Sequence, residues 1–536
     1  MAARGITGDQ AQERFLYPDY DYHLHDPLAM TDMSACVDRI LMASSRNEQV
    51  VVYGDYDIDG ITASAIMIEG LAWHGITAIS YIPDRFEEGY GINLAALQAL
   101  KASGVSLVVS VDCGITSVAE AAWAEANGLD LIITDHHAVP ANLPQAVAVV
   151  NPKRQDDNYP FKDLCGAGVA FKVVQALQRA TGKPAAGQEK WLLDLVALGT
   201  VCDIVTLVDE NRVLVSWGLK VMRRTRRPGL RALANVGGID IAGISSQQLG
   251  FVLGPRMNAA GRLEHAARSL ELVMTQDATR AAEIAQELDI LNSERRATQA
   301  TAFKAADAQA EQYADDPVLL LAGPEWSHGI VGIVASKLVE KWHKPVLVAQ
   351  IMGESTKGSA RSVGGFNMVE ALRANSELLI KFGGHFFAAG YSLNTADLPA
   401  LRAGLNSYFV QSGAQAALAP TLAPDAELDG TTGANWQLFE DLAMLEPFGA
   451  ANLEPILALR GLTTRVVRKI GKEAAHLKLV LQDDAGQTVD AVGFGLCAKY
   501  PNLASGQRLT ALGRLNKNEW QGSASLQLII SELRYE

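Results

Sequence analysis

Three aspartates stand at alternate positions in Asp55-Tyr56-Asp57-Ile58-Asp59, directly after Val51-Val52-Tyr53-Gly54 and before Gly60. In an extended segment, residues two apart point the same way, so these carboxylates can converge on one spot. Clustered carboxylates repel one another unless a cation sits between them. The triad therefore reads as one wall of a divalent-metal site at a strand end. Further candidate ligands stand where other apolar runs stop: Asp112 after residues 107–111, Asp135-His136-His137 after 131–134, and Asp203 after 192–201. A single strand-end Asp is ordinarily a cap or turn former, and a single His is ordinarily surface or satisfied core. Four segment-end acids together with a His pair call for a common cause, and a metal centre supplies one. Asp135, next to the two histidines, is suited to fix the tautomer of a metal-bound imidazole.

Groups like these need a scaffold that brings segment ends together. From Gln49 onward β-rich runs alternate with amphipathic stretches, predicting strands at 50–54, 77–82, 106–111 and 131–134 and helices near 62–73, 93–103 and 117–127. Such alternation predicts a parallel, right-handed α/β sheet, and open α/β sheets bind ligands beyond the carboxyl ends of their strands. Residues 1–45 read as a lead-in and 46–275 as this catalytic α/β domain. Residues 279–311 are rich in Ala, Gln, Glu and Arg and hold neither Gly nor Pro, predicting a long polar-faced helix within a connecting segment at 276–312.

A second α/β domain is expected over 313–412, with strands at 318–322 and 345–350 around a helix at 329–342. It offers Ser359-Ala360-Arg361-Ser362-Val363-Gly364-Gly365 and Phe382-Gly383-Gly384-His385. Gly-rich backbone exposes N–H groups to anions, and Ser and Arg add hydroxyls and a forked cation; a Gly pair is also a common turn. Residues 416–424 resemble a linker. In 425–536 about five short alternating runs suggest a small β-barrel, for which an OB-fold is the natural candidate. There Arg465, Arg468, Lys469, Lys472 and Lys478, with Phe494 and Trp520, suit phosphate contacts and base stacking along a single strand, or equally a solvated face over core aromatics. Arg223-Arg224-Thr225-Arg226-Arg227 likewise reads as a solvated helix end or as a phosphate-contacting patch.

The 46 basic residues are outnumbered by 60 acidic ones, giving a net charge of −14, so the chain is no polycation and a nucleic-acid partner would need a local basic groove. Five scattered cysteines without a C-x-x-C pair suit a reducing cytoplasm, without disulfides or structural zinc. Asp194 and Asp203 interrupt the apolar stretch 191–208, favouring a buried helix and turn over a membrane span.

Gly-Asp-Tyr-Asp-Ile-Asp-Gly at 54–60, Val-Asp-Cys-Gly-Ile-Thr at 111–116, Thr-Asp-His-His at 134–137 and Gly-Thr-Val-Cys-Asp at 199–203 resemble the four motifs of the DHH phosphoesterase superfamily. Within it the chain is most similar to the bacterial RecJ single-strand-specific exonucleases, through residues 83–91, 165–172 and 254–262 as well. The resemblance runs from about residue 50 to the end. It implies a metal-dependent exonuclease that releases nucleotides from single-stranded DNA in the 5′ to 3′ direction, in repair and recombination, with a DHH-associated second domain. The expected metal set is Asp57, Asp59, Asp112, His136 and Asp203, with Asp55 close by and Asp112 as the bridge. Asp135 would orient the His pair and His137 would face a phosphate oxygen. Mixed oxygen and imidazole ligation suits Mn²⁺, with Mg²⁺ as the other candidate, and two ions are expected; Tyr53 stands where many members carry a metal-binding His, leaving the count open. By carry-over, Arg85, Ser359, Arg361, Ser362, Gly383, Gly384 and His385 would bind phosphates, and Arg256 and Asn258 would line the strand path. His328 sits one residue beyond the family's usual His and is given no role. A monomeric cytoplasmic enzyme is expected, with a single-strand-binding protein and a helicase as partners by resemblance alone. A phosphodiesterase of short oligonucleotides or cyclic dinucleotides and a non-catalytic replication scaffold are the competing readings.

Overall fold

The computed structural model describes residues 1, 4–84, 88–89, 91–263, 266–414, 422–520 and 523–536. Arg85 and most of the expected linker lie outside these residues, as do the side chains of Lys472 and Trp520.

The first sheet contains β1 (Val50–Gly54), β2 (Ile79–Tyr81), β3 (Leu107–Val111), β4 (Asp130–Thr134) and β5 (Ala148–Val150) in the order β2-β1-β3-β4-β5, all parallel. Every residue of β1 and β3 is buried, as expected of parallel strands covered on both faces. Alternation divides β1 between two cores. Val50 and Val52 pack with helices α1 (Met33–Arg46) and α2 (Ile58–Ala72), whereas Val51 and Tyr53 pack with α3 (Leu94–Ala102) and α4 (Val118–Ala126). The chain runs outward from β1 to β2 and then returns to the other side of β1 for β3, so the strand order reverses between β1 and β3. That switch point leaves a crevice at the carboxyl edge, and Asp55 and Asp112 stand there.

Helix α2 begins at Ile58, four residues earlier than its apolar pattern suggests, because Asp57 caps it: its side chain accepts the N–H groups of Asp59 and Gly60. The segment before Asp203 is a buried helix, as the sequence suggests. It forms α6 (Leu193–Cys202), packed beside α5 (Gly166–Thr181) and α7 (Asp209–Met222).

Helix α8 (Gly254–Leu263) leads toward α9 (Ala278–Gln312), whose 35 residues span about 50 Å. Buried positions along α9 recur every three or four residues. Ile284, Ala285 and Leu288 belong to the first core, and Ala302, Ala306 and Ala310 to the core of the second half. One rigid element thus shares its apolar stripe between both halves. The second sheet has the order β6-β7-β8-β10-β9, formed by Leu319–Gly323, Val346–Met352, Ser355–Arg361, Ala388–Asn394 and Lys381–Gly384 respectively, with α10 (His328–Trp342) against it.

In the last unit β12 (Leu457–Ile470), β13 (His476–Gln482), β14 (Thr488–Gly493), β16 (Ser523–Tyr535) and β15 (Arg508–Trp520) close into a barrel through a β12–β15 pairing, with β11 (Ala426–Asp429) added alongside β12. A strap, residues 444–453, ties this barrel back to the first half. The buried Arg212 stacks its guanidinium 3.7 Å from the Phe15 ring centroid and donates to the carbonyls of Leu445 (2.9 Å), Met444 (3.3 Å) and Glu446 (2.7 Å). The Leu207 N–H donates to the Ala450 carbonyl at 2.8 Å, and the Ser246 hydroxyl to that of Phe448 at 2.8 Å.

Candidate metal centre and phosphate site

Each acid at the carboxyl edge is aimed by its own local device. Asp112 follows β3 with φ 60°, a left-handed conformation uncommon for a residue with a side chain. Its N–H is spent on the Thr134 carbonyl at 3.0 Å. The Asp59 carboxylate is received at the start of α5, where the Gly166 N–H donates to Oδ2 at 2.5 Å and the Ala167 N–H to Oδ1 at 2.9 Å. Gly166 is required for that approach, because a Cβ there would lie 2.5 Å from the Asp112 Cβ and 2.6 Å from its Oδ1. Asp135 is fully committed. Its Oδ1 accepts the N–H groups of His136 (2.7 Å) and His137 (3.0 Å) and contacts His137 Nδ1 at 2.8 Å, and its Oδ2 accepts the Ile115 N–H at 2.9 Å.

The donor atoms fall into three overlapping groups: Asp112 with His136 and His137, Asp59 with His136 and Asp203, and Asp55 with Asp57 and Asp112, each within 4.8 Å. His136 Nε2 lies 3.1 Å from Asp112 Oδ1, 3.6 Å from Asp203 Oδ2 and 3.7 Å from Asp59 Oδ2. None of these contacts to Asp112 or Asp203 is a hydrogen bond, and neither nitrogen of the buried His136 ring has a hydrogen-bond partner among the described residues. Burial lowers the His136 pKa to about 4, so the ring is neutral and presents a lone pair. Burial, reinforced by the neighbouring aspartates, holds Asp112 well above the usual carboxylate range, raises Asp59, and pushes Asp203 up to about 8. His137 behaves differently. Burial acts to lower it, but the hydrogen bond and charge of Asp135 outweigh that and raise it, while Asp135 itself is lowered despite burial by those same contacts. Buried, repelling carboxylates around a neutral imidazole with unspent donor atoms fit divalent cations, and overlapping groups that share Asp112 and His136 offer places for two.

All six expected metal ligands, Asp55, Asp57, Asp59, Asp112, His136 and Asp203, are brought together, and His137 joins them as a candidate donor beyond its expected phosphate-facing role. Tyr53 is not among the groups. Its hydroxyl donates to the Gly91 carbonyl at 3.1 Å on the α3/α4 side of the sheet. The carry-over residues of the second half lie on β8 and β9 or just past their ends, with β10 between them: Ser359 pairs with Gly390, Arg361 with Ala388, and Gly384 with Ala389. Gly384 has φ 149°, and a Cβ there would come 2.3 Å from the Ala388 carbonyl oxygen, whereas Gly383 faces open space. Burial lowers the Arg361 pKa, its guanidinium donates to the Ala360 carbonyl at 2.8 Å, and no acid is paired with it among the described residues. Ser362 is engaged in the turn, its hydroxyl donating to the Phe366 carbonyl at 2.6 Å. Arg256 pairs with Asp289 of α9 at 2.8 Å, and Asn258 is half-buried on α8. The Arg223–Arg227 run is largely structural: Arg223 bonds the Ile244 carbonyl, Arg226 lies over the Trp191 ring, and Arg227 is buried against Asp194 and Glu69, with Arg224 exposed. Sequence reading missed the amides of Gly166, Ala167 and Ile115 that hold Asp59 and Asp135. A Cys-Gly-Ala-Gly run opening a helix was the available signal for the first two.

A crevice of carboxylates and imidazoles at the edge of a parallel sheet, joined by one long helix to a second sheet, defines a DHH-type phosphoesterase. Residues 49–200 match the DHH family N-terminal domain, 315–411 the DHHA1 domain and 425–532 the RecJ OB domain. The single-stranded-DNA-specific exonuclease RecJ of Bacillus subtilis is 38% identical over 535 residues, covering 99% of this chain and 67% of the relative. That of Dickeya dadantii is 34% identical, covering 99% and 94%. The crystal structure of Thermus thermophilus RecJ in complex with Mn²⁺ superposes with a TM-score of 0.84 at 30% identity, covering 100% of this chain and 75% of that one, and its Mg²⁺ complex gives 0.79 at 28%. The chain belongs to the RecJ family.

Proposed function

We propose that this protein is a divalent-metal-dependent exonuclease that hydrolyses the phosphodiester bonds of single-stranded DNA. The carrying observation is the buried His136 imidazole, with three carboxylates within 3.7 Å of its Nε2 and no hydrogen bond from the described residues to either ring nitrogen. Asp55, Asp57, Asp59, Asp112, His136 and Asp203 would hold Mn²⁺ or Mg²⁺. When bound, the ions offset phosphate charge and make water nucleophilic at neutral pH. Asp135 holds the His137 ring through Nδ1, and His137 faces a phosphate oxygen. Ser359, Arg361 and the Gly383-Gly384-His385 segment at the end of β9 receive a phosphate, Arg361 supplying a cation that no acid of the described residues neutralises. Arg256 and Asn258 line the approach between the halves. The RecJ OB domain supports a strand longer than a dinucleotide: Phe494 is 62% exposed beside a cleft of about 460 Å³ lined by Ile470, Lys478, Val492, Asn518 and Gln527. The full-length likeness to exonucleases sets aside the short-oligonucleotide phosphodiesterase and scaffold readings.

The finer reading is digestion from the 5′ end by a cytoplasmic monomer, organised as domains 46–275, 313–412 and 425–536 with the helix between the first two, acting with a single-strand-binding protein and a helicase. No helix among the described residues is long and apolar enough to cross a membrane. Digestion of single-stranded DNA labelled at either end, with Mn²⁺ or Mg²⁺, tests the proposal. Immediate release of labelled mononucleotide from the 5′ label is expected. Immediate release from the 3′ label alone would overturn the polarity, and no release from either would overturn the activity.

A further inference from the structure

Asp203 stands where α6 ends, and its N–H closes that helix on the Gly199 carbonyl at 2.9 Å. The next residue, Ile204, has φ 60°, a left-handed conformation that is an outlier for a β-branched side chain, and it is 75% exposed. Such a conformation persists only where the chain is pinned on both sides of it. Helix α6 supplies the upstream pin. Downstream, the Thr206 hydroxyl donates to Asp163 Oδ2 at 3.1 Å, and Asn211 Nδ2 donates to the Thr206 carbonyl at 3.0 Å. Leu207 follows, fully buried, with its N–H on the Ala450 carbonyl of the strap at 2.8 Å. Its side chain fills the space beside Gly449, where a Cβ would come 2.6 Å from Leu207 Cδ1 and 3.1 Å from its Cγ. The strap is stiff enough to act as a stop. Gly449 and Asn452 exchange backbone hydrogen bonds at 3.0 and 3.1 Å, and the buried Asn452 side chain donates to the carbonyls of Leu445 (2.8 Å) and Pro447 (2.9 Å). The strap also holds the other flank of α6. Its Phe448 carbonyl accepts from the Ser246 hydroxyl at 2.8 Å, shortly before Leu249, whose own carbonyl receives the Cys202 thiol at 3.8 Å.

We propose that Leu207 and Gly449 are positioning residues for Asp203: the strap that roots the C-terminal barrel also seats the turn after α6, and so sets where this carboxylate stands in the metal centre. The proposal rests on the metal reading of the site. Asp203 needs such support more than its neighbours do. The Asp59 carboxylate is received by two amides of α5, whereas Asp203 Oδ2 has no hydrogen-bond partner among the described residues. Its orientation therefore follows from where the backbone places it. Freeing Leu207 lets the strained turn at Ile204 relax, and the carboxylate moves with that turn.

Leu207→Ala empties the seat, and Gly449→Val forces Leu207 out of it. Combining the two returns a side chain to the space that one was removed from. The measurements, all on the full chain, are the Mn²⁺ dissociation constant by calorimetry, KM for single-stranded DNA at saturating Mn²⁺, and the melting temperature of the metal-free protein. Each single variant is expected to bind Mn²⁺ roughly tenfold more weakly, the scale on which groups that orient a metal ligand act. KM should stay within about twofold of the parent, and the double variant should recover most of the lost affinity. Parent-like Mn²⁺ affinity in both single variants, with a raised KM or a lowered melting temperature, would mean that the strap only fastens the barrel, and would overturn the proposal. So would a double variant that binds Mn²⁺ as weakly as the single ones. Should Gly449→Val fail to fold, Leu207→Ala alone decides, by weakened or parent-like Mn²⁺ binding. A parent that binds no Mn²⁺ would overturn the metal reading and the proposal with it. A parent that binds Mn²⁺ and leaves DNA intact would overturn the exonuclease reading alone, with the Mn²⁺ affinities of the variants still deciding the proposal.

Discussion

Gly166→Ala tests the metal centre without removing a single ligand atom. The added Cβ would stand 2.5 Å from the Asp112 Cβ, 2.6 Å from Oδ1 and 2.7 Å from Cγ, against ordinary contact at 3.4–4 Å. The shortfall of roughly 0.8 Å must be taken up by the Asp112 carboxylate or by the start of α5, and either response moves a ligand. Shifting α5 also withdraws the Gly166 N–H from Asp59, now at 2.5 Å. A misplacement of about 1 Å at reacting groups costs on the order of 10²-fold in rate, equivalent to about 2.7 kcal/mol of transition-state stabilisation. Stability should change far less. Overpacking costs about 1–3 kcal/mol, partly offset by up to about 1 kcal/mol from replacing a helical glycine with alanine. The assay is kcat/KM on end-labelled single-stranded DNA together with Mn²⁺ titration and thermal unfolding. Gly168→Ala is the control two residues along, where a Cβ would meet only the Leu164 side chain, at 3.3 and 3.4 Å, and Cys165 Sγ at 3.8 Å. Activity near wild type is expected for it. Gly166→Ala enzyme with wild-type Mn²⁺ affinity and wild-type kcat/KM would refute the packing argument.

The other expectations concern charge. Asp112→Asn should abolish hydrolysis while leaving the metal-free protein at least as heat-stable as the parent, because Asp112 is buried among like charges; a large drop in its melting temperature in calorimetry would contradict this. The folded-state pKa of Asp203, near 8, lies above its unfolded value of about 3.9. The folded state therefore holds this proton over the interval in which the unfolded chain has already released it, so the metal-free protein should melt progressively lower from about pH 4 to about 8 and level off above that. Mn²⁺ affinity should climb over the same window with proton release measurable by calorimetry in two buffers; an affinity independent of pH would argue against Asp203 as a ligand. Replacing Arg468, Lys469 and Lys478 by Gln should flatten the salt dependence of single-strand binding by about 0.7 in log–log slope for each phosphate that is no longer neutralised, and an unchanged slope would remove those three from the DNA path.

Much of this was legible because it is local. The triad's alternation, the strand-end positions of Asp112 and Asp135, and the Gly-free run that became the helix Ala278–Gln312 are patterns within one segment. What stayed hidden depends on distant partners. Asp59 is held by amides 107 and 108 residues away, and no spacing in a sequence announces such a pairing. The Arg223–Arg227 run could not be decided from its charge, since only the fold reveals that Arg227 is enclosed by Asp194 and Glu69 and that Arg226 lies over Trp191. Ser362 likewise has a residue type that suits phosphate, yet its hydroxyl is turned to the Phe366 carbonyl. Tyr53 was legible as a departure from the family's pattern. Its hydrogen bond was not, because Gly91 meets it only in the fold.

The strap at 444–453 changes what it means to cut this chain into modules. Arg212 sends three of its hydrogen bonds to strap carbonyls, so a chain ending near residue 424 would lose those acceptors and leave the guanidinium, among its described partners, with the Phe15 carbonyl. A buried donor stripped of its partners costs about 1–3 kcal/mol, and more when it carries charge. The same cut would also unpair Leu207, four residues beyond Asp203. A shortened enzyme that fails on DNA is therefore no measure of the barrel's grip on the strand, because the break in the sequence and the break in the energetics fall in different places.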